Sequence, residues 1–177
     1  TIHMTRLVDD LRLLTRAEAG QLSLERHLIA SDVLVRRALE SFEPLLLDAN
    51  IRLDQQIAGD LPQVKVDVDR LHQVLGNLLT NALRHTPEGG TITVRAARAG
   101  HNVRVEVSNT GKGLTSQEAA QVFTPFWRAQ DARDRDKGGS GLGLAISQQL
   151  LLLHGGRIWA ESHSERATFV FELPAAD

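Results

Sequence analysis

DRLHQVLGNLLTNALRHTPEGG, residues 69–90, is the stretch whose reading decides the fold. Leu71, Val74, Leu75, Leu78, Leu79, Ala82 and Leu83 recur at steps of three and four, so on a helix they form one continuous apolar stripe that faces a core. At about 100° per residue, Gln73, Asn77, Asn81 and Arg84 align along one flank of that stripe, where polar side chains can face a pocket. Asparagine is unfavourable in mid-helix because its short amide competes with the backbone's own hydrogen bonds. Asn77 and Asn81, one turn apart, are therefore either capped, solvated or bonded within the core, or they serve a ligand.

Upstream, Asp67 is the expected N-cap of this helix, and Gly59 and Pro62 break a strand carrying Ile51, Leu53 and Ile57. Before that, Ser31 is placed to cap a helix whose face is Leu34, Val35, Ala38, Leu39, Phe42, Leu45 and Leu46, with Pro44 expected to bend it. Leu22 to Ile29 alternates and predicts a strand. Met4, Leu7, Leu11 and Leu14 have the spacing of a coiled-coil or bundle seam that Gly20 ends. A helix so short is marginal alone, so it is expected to pack on the domain or to belong to a bundle whose other helices lie outside this sequence.

Downstream, Thr91 to Arg98 and Asn102 to Ser108 alternate around Ala99, Gly100 and His101 as a hairpin-like pair. Asn109-Thr-Gly-Lys-Gly113 is a glycine-punctuated turn directly after a strand, and a short helix is predicted from about Thr115 to Val122. After Phe123, Pro125, Phe126 and Trp127, the mixed-charge run Asp131 to Gly139 has no core to join and is expected to be mobile. GGSGLGL, residues 138–144, opens a helix with Leu142, Ala145, Ile146, Leu150 and Leu153 inside. Glycines at a helix start let an anion approach backbone N–H groups that the helix dipole favours. Arg157 to Ser162 and Ala167 to Leu173 close the chain as two alternating runs.

Composition narrows the function. The chain has 177 residues, 42% hydrophobic, enough for one sizeable core. A net charge of −2 with dispersed basic residues argues against nucleic-acid binding and against a membrane-binding basic face. Without cysteine there is no disulfide, thiolate metal site or cysteine nucleophile. The absence of a signal peptide or spanning run predicts a soluble chain, and the start inside a helical pattern suggests a piece of a longer protein.

An Asn-bearing helix, NTGKG after a strand, FTPFWRA, and GGSGLGLAIS opening a helix occur in an order and spacing that resemble the catalytic ATP-binding domain of sensor histidine kinases. The resemblance implies an α/β (α+β) two-layer sandwich of the Bergerat type: a mixed, mostly antiparallel sheet of about five strands with three main helices on one face. Residues 1–20 resemble the end of the dimerisation and phosphotransfer helix, and residues 21–177 the catalytic domain. ATP and Mg²⁺ are the implied cofactors. Asn81 is the implied metal ligand, Asn77 lies on the phosphate side, Arg84 against the phosphates and His85 where a ring often lies. Gly111, Gly113 and Leu114 match the first glycine box. Phe126 precedes Arg128, the lid arginine expected to reach the terminal phosphate. Gly139, Ser140, Gly141, Leu142, Gly143 and Leu144 match the second glycine box. Asn77, Arg84 and Arg128 are the residues implied in catalysis.

One position departs from the family. Its aspartate, which accepts a hydrogen bond from the adenine amine, is Asn109 here, a neutral and weaker acceptor. Asn109 is compatible with a kinase that tolerates it, a degenerate domain that binds nucleotide poorly and acts as a regulatory docking module, or an inactivating Asp→Asn change. The family's acceptor-histidine pattern is absent, and His3, followed by Met4 and Thr5, reads as an exposed helix histidine. The implied reaction is transfer of the terminal phosphoryl of Mg-ATP to a histidine of the protein's own bundle domain, for relay to a response regulator. The whole protein would be a homodimer; the state of this fragment is left open. The implied location is cytoplasmic, compatible with a parent anchored in the inner membrane. A related-fold ATPase would need a water-activating glutamate where Asn77 stands. An anti-sigma-type serine kinase is closer, but the seam of Met4 to Leu14 favours the sensor-kinase layout.

Overall fold

The computed structural model describes residues 2–129 and 139–176, and most of the charged run 131–139 lies outside the described residues. In chain order the elements are α1 (Ile2–Glu18), β1 (His27–Ala30), α2 (Ser31–Asp48), β2 (Arg52–Ile57), β3 (Gln63–Val66), α3 (Val68–His85), β4 (Thr91–Ala99), β5 (Asn102–Thr110), α4 (Ser116–Gln121), α5 (Gly143–Leu153), β6 (Arg157–Glu161) and β7 (Arg166–Pro174). A five-stranded sheet has the order β2-β4-β5-β7-β6, with β2 parallel to β4 and the other neighbours antiparallel. This is the mixed, mostly antiparallel sheet expected from the sequence.

The alternation of the strands decides which face the helices cover. Ile92, Val94 and Ala96 of β4, Val103, Val105 and Val107 of β5, and Phe169, Phe171 and Leu173 of β7 form inward rows. They share one core with Leu39 of α2, Leu75 and Leu79 of α3, and Leu150 of α5. Leu71, Val74, Leu75, Leu78, Leu79 and Ala82 are all buried, so the stripe read in residues 69–90 faces this core. Each such leucine contributes about 2 kcal/mol by leaving water. The outward rows carry the charges: Glu172 is buried between Arg104 and Arg157, at 2.7 and 2.8 Å, and both guanidinium groups flank the Trp159 ring. Burial alone would raise the Glu172 pKa, but the hydrogen bonds and charges of the two arginines outweigh it and hold the carboxyl below its ordinary value.

Four local expectations differ from the structure. The strand predicted over Leu22 to Ile29 is only His27–Ala30, because its antiparallel partner β3 offers four residues for pairing. β3 itself escaped notice: between Pro62 and the cap Asp67, only Val64 and Val66 carry its period. Ser31 does not cap α2; Ala30 holds that position, and the Ser31 hydroxyl donates to the Pro62 carbonyl, tying α2 to β3. α2 continues through Pro44, on its exposed side, to Asp48, and Leu45, assigned to the inner face, is 50% exposed. Asp67 does cap α3, accepting from Arg70 N at 3.2 Å.

Candidate active site

α3 and α5 run antiparallel and are joined at both ends. At one end the Asn77 amide nitrogen donates to Gly143 O (3.0 Å) and Ser147 Oγ (3.2 Å), and Ser147 in turn donates to Gly143 O (2.9 Å). Thus the first of the two mid-helix asparagines holds the start of α5 against α3. One turn on, Asn81 takes no part in the side-chain hydrogen bonds of the described residues, and it lines a cavity of about 550 Å³.

That cavity gathers residues scattered through the sequence: Asn77, Asn81, Arg84 and His85 from α3, Gly113 and Leu114 after β5, Arg128 after α4, and Gly139, Ser140, Gly141, Gly143 and Leu144 at the start of α5. Arg84 lies directly against the glycine loop, since a Cβ at Gly139 would come within 2.6 Å of Arg84 Nη1. Glycine there allows the close approach. Burial, and then the nearby Arg128 charge, lower the Arg84 pKa, so two cations converge in a partly buried space. Such an arrangement is intrinsically repulsive and is relieved by an anion. The loop is shaped by a reciprocal contact: Phe126 (φ 64) donates its N–H to Gly141 O at 2.9 Å, while Gly141 (φ 74) packs against the Phe126 backbone. A non-glycine residue with positive φ is uncommon and marks a constrained turn.

Not every predicted residue reaches the cavity wall. Leu142 is fully buried in the core, and Phe126 and Gly111 do not line the cavity: Phe126 packs on Gly141, and Gly111 lies against the His85 carbonyl. Asn109 continues the inward row of Val103, Val105 and Val107, a polar side chain where the alternation calls for an apolar one. It is 2% exposed, and its cross-strand partner Ala167 lines the cavity while Asn109 does not. Its amide nitrogen donates to Thr110 O at 3.1 Å. Only the NH₂ of an amide side chain can donate to a carbonyl, so the Asn109 oxygen is the atom left on the other side of the amide. Trp127 packs against the core, donates to Gln121 Oε1 and lines the cavity, a lid-packing role.

Sequence reading missed Asp10, Lys112 and Glu118 on the wall. Lys112 stood inside NTGKG and could have been named. Glu118 carries a capping box, accepting from Thr115 N at 2.9 Å, so its carboxylate is committed to α4. Asp10 lies far away in sequence, and only the docking of α1 brings it here. His3 is exposed on α1, as expected.

The open end of an α3–α5 pair, with asparagines on one wall and a glycine loop opposite, over a mixed sheet, defines a class of nucleotide-handling domain. Residues 66–177 match the family of histidine kinase-, DNA gyrase B- and HSP90-like ATPases, and the chain belongs to it. Within that family it is similar to sensor kinases. It is 36% identical over 97% of its length to the sensor histidine kinase CusS of Escherichia coli K12, and 33% identical over 96% to the adaptive-response sensory kinase SasA of Synechococcus elongatus. It spans only 35% and 44% of those proteins. Among solved structures, full-length ShkA in complex with AMPPNP superposes with a TM-score of 0.86 at 30% identity, covering 98% of this chain and 36% of ShkA. The catalytic domain of histidine kinase ThkA superposes at 0.75 and 30% identity, covering 85% of this chain and 96% of that domain.

Proposed function

We propose that this chain is the ATP-binding catalytic part of a sensor histidine kinase, which transfers the terminal phosphoryl of Mg-ATP to a histidine on its bundle domain for relay to a response regulator. The observation that carries the reading is the convergence of Arg84, which lies against the glycine loop, and Arg128 in one cavity that the Asn81 amide also lines. Residues 1–20 are the end of the phosphotransfer helix, residues 21–177 the catalytic domain, and the dimer belongs to the whole protein. We place its work on the cytoplasmic side; among the described residues no helix is long and apolar enough to cross a membrane.

The donor set fits magnesium carried by the nucleotide. Among the described residues no cluster of His, Cys, Asp or Glu could hold a metal. A hard cation would take the Asn81 amide oxygen together with phosphate oxygens and water. When bound, the ion neutralises phosphate charge and fixes the triphosphate oxygens. The protein's own part is positioning and charge. Arg84 and Arg128 meet the charge on the transferring group, the loop before α5 offers backbone N–H groups, and the Asn109 oxygen accepts from the adenine amine.

Hydrolysis is disfavoured by the acids on the wall. Glu118 is held in its capping box, and Asn77 occupies the position a water-activating glutamate would need. Titration calorimetry of Mg-ATP into this chain and into Asn109→Asp tests the reading. Micromolar to sub-millimolar binding by the chain itself supports the kinase with Asn109 tolerated. Binding by Asn109→Asp alone makes this a weakened or regulatory form, and no binding by either sinks the assignment. Phosphoryl transfer is then measured by adding the bundle domain in trans and following label on histidine.

A further inference from the structure

α1 does not dock through the seam visible in its sequence. Met4, Leu7 and Leu11 are 70%, 38% and 44% exposed, whereas Leu14 and Ala17 are buried and Leu13 packs beside them. Asp10 is the first described residue of α1 that is not exposed, and with Leu13, Leu14 and Ala17 it forms a stripe at helical spacing. The docked face of α1 therefore ends, at the cavity, in a carboxylate.

The carboxylate lines the cavity together with Ser140 of the glycine loop, and Ser140 is among the influences that lower its pKa. The Ser140 hydroxyl oxygen accepts from Leu142 N at 3.2 Å, so its single proton is left for another acceptor. Arg84 and Gly139 are on the same wall. The position is not restful for the carboxylate: burial first, then the charge of Asp9, raise its pKa despite the opposing Arg6 charge and the Ser140 hydrogen bond. Every described residue of α1 before Asp10 is exposed, so little else holds that half of the helix down.

We propose that Asp10 is an anion placeholder: with α1 docked, its carboxylate holds the Ser140 proton that a nucleotide phosphate oxygen takes, so docking of this half of α1 and binding of the phosphate tail exclude one another. The proposal rests on reading the cavity as the nucleotide site. A phosphate and a carboxylate cannot share one hydroxyl proton, and two anions in close contact within a partly buried space repel. By linkage, nucleotide loosens α1 to the same degree that docked α1 weakens nucleotide.

The test is calorimetry of Mg-ATP and of adenosine with the chain, Asp10→Asn and Asp9→Asn, with hydrogen exchange on the unmutated chain. Asp10→Asn should bind Mg-ATP about five- to tenfold tighter, adenosine should bind both equally, and Asp9→Asn, an exposed neighbour of the same charge, should change little. Saturating Mg-ATP should speed amide exchange in the first half of α1. Equal Mg-ATP affinity in Asp10→Asn and the parent chain, an equal gain in Asp9→Asn, or slowed exchange in α1 overturns the placeholder while leaving the nucleotide site intact. Failure of the chain to bind either adenosine or Mg-ATP removes the site, and the proposal with it.

Discussion

The two ends of the α3–α5 pair are built to opposite specifications. At the far end, where α3 begins and α5 stops, polar atoms are consumed within the protein. Asp67 accepts from Arg70 N and Glu25 N, its own N–H donates to His154 Nε2 at 3.0 Å, and His154 Nδ1 donates to Leu150 O. Accepting at Nε2 and donating at Nδ1 requires the neutral ring, and burial, the largest influence, lowers the His154 pKa accordingly. At the near end Arg84 and Arg128 stand close together in the cavity with a glycine loop, and Asn81 takes no part in the side-chain hydrogen bonds of the described residues. A self-satisfied polar cluster fastens a fold, whereas like charges held close together attract an anionic ligand. Asn77 and Asn81 divide along the same line within a single turn of helix.

The sharpest way to break this comparison is to exchange what the two asparagines lose. Asn81→Ala should weaken Mg-ATP binding on the order of a hundredfold and leave the melting curve within about 0.5 kcal/mol of the parent, as calorimetry and denaturant unfolding would show. A stability loss in Asn81→Ala comparable to that of Asn77→Ala would erase the distinction.

At the far end, His154→Ala strands the Asp67 N–H and opens a cavity, so it should cost about 2–3 kcal/mol of unfolding free energy. Nucleotide affinity should hold. Asn77→Ala should come next, at about 1–2 kcal/mol, because it releases Gly143 O and Ser147 together. Removing the α3 cap with Asp67→Ala should cost about 1 kcal/mol.

The smallest effect sharpens the contrast through pH. Because folding lowers the His154 pKa below its ordinary 6.5, the unfolded chain binds this proton more readily than the folded one. Its contribution is fully present above that value and is lost as pH falls through the folded pKa. Denaturant unfolding followed from pH 7.5 to pH 5, as a wide scan, should show this slope in the parent and its absence in His154→Ala.

What residue order alone determined is considerable. The stripe from Leu71 to Leu83, the hairpin of β4 and β5 and the turn chemistry at Asp67 are local signals, since hydrophobic period and capping act over a few residues. The pocket-facing row was legible for the same reason, because successive turns of helix put Asn77, Asn81 and Arg84 on one flank. Only the tertiary structure decided which of those asparagines is structural: Asn77 is spent because Gly143, 66 positions later, arrives beside it. Likewise β3 exists because β1 pairs with it, and Ser31 left its capping role because the Pro62 carbonyl came within reach. Asp10 is the extreme case. On α1 it is one more polar residue of an amphipathic helix, and it enters the site only because Leu14 and Ala17 bury themselves on the domain and carry the carboxylate to Ser140. Periodicity reports the face an element hides, but a partner far along the chain decides what each polar atom on that face is for.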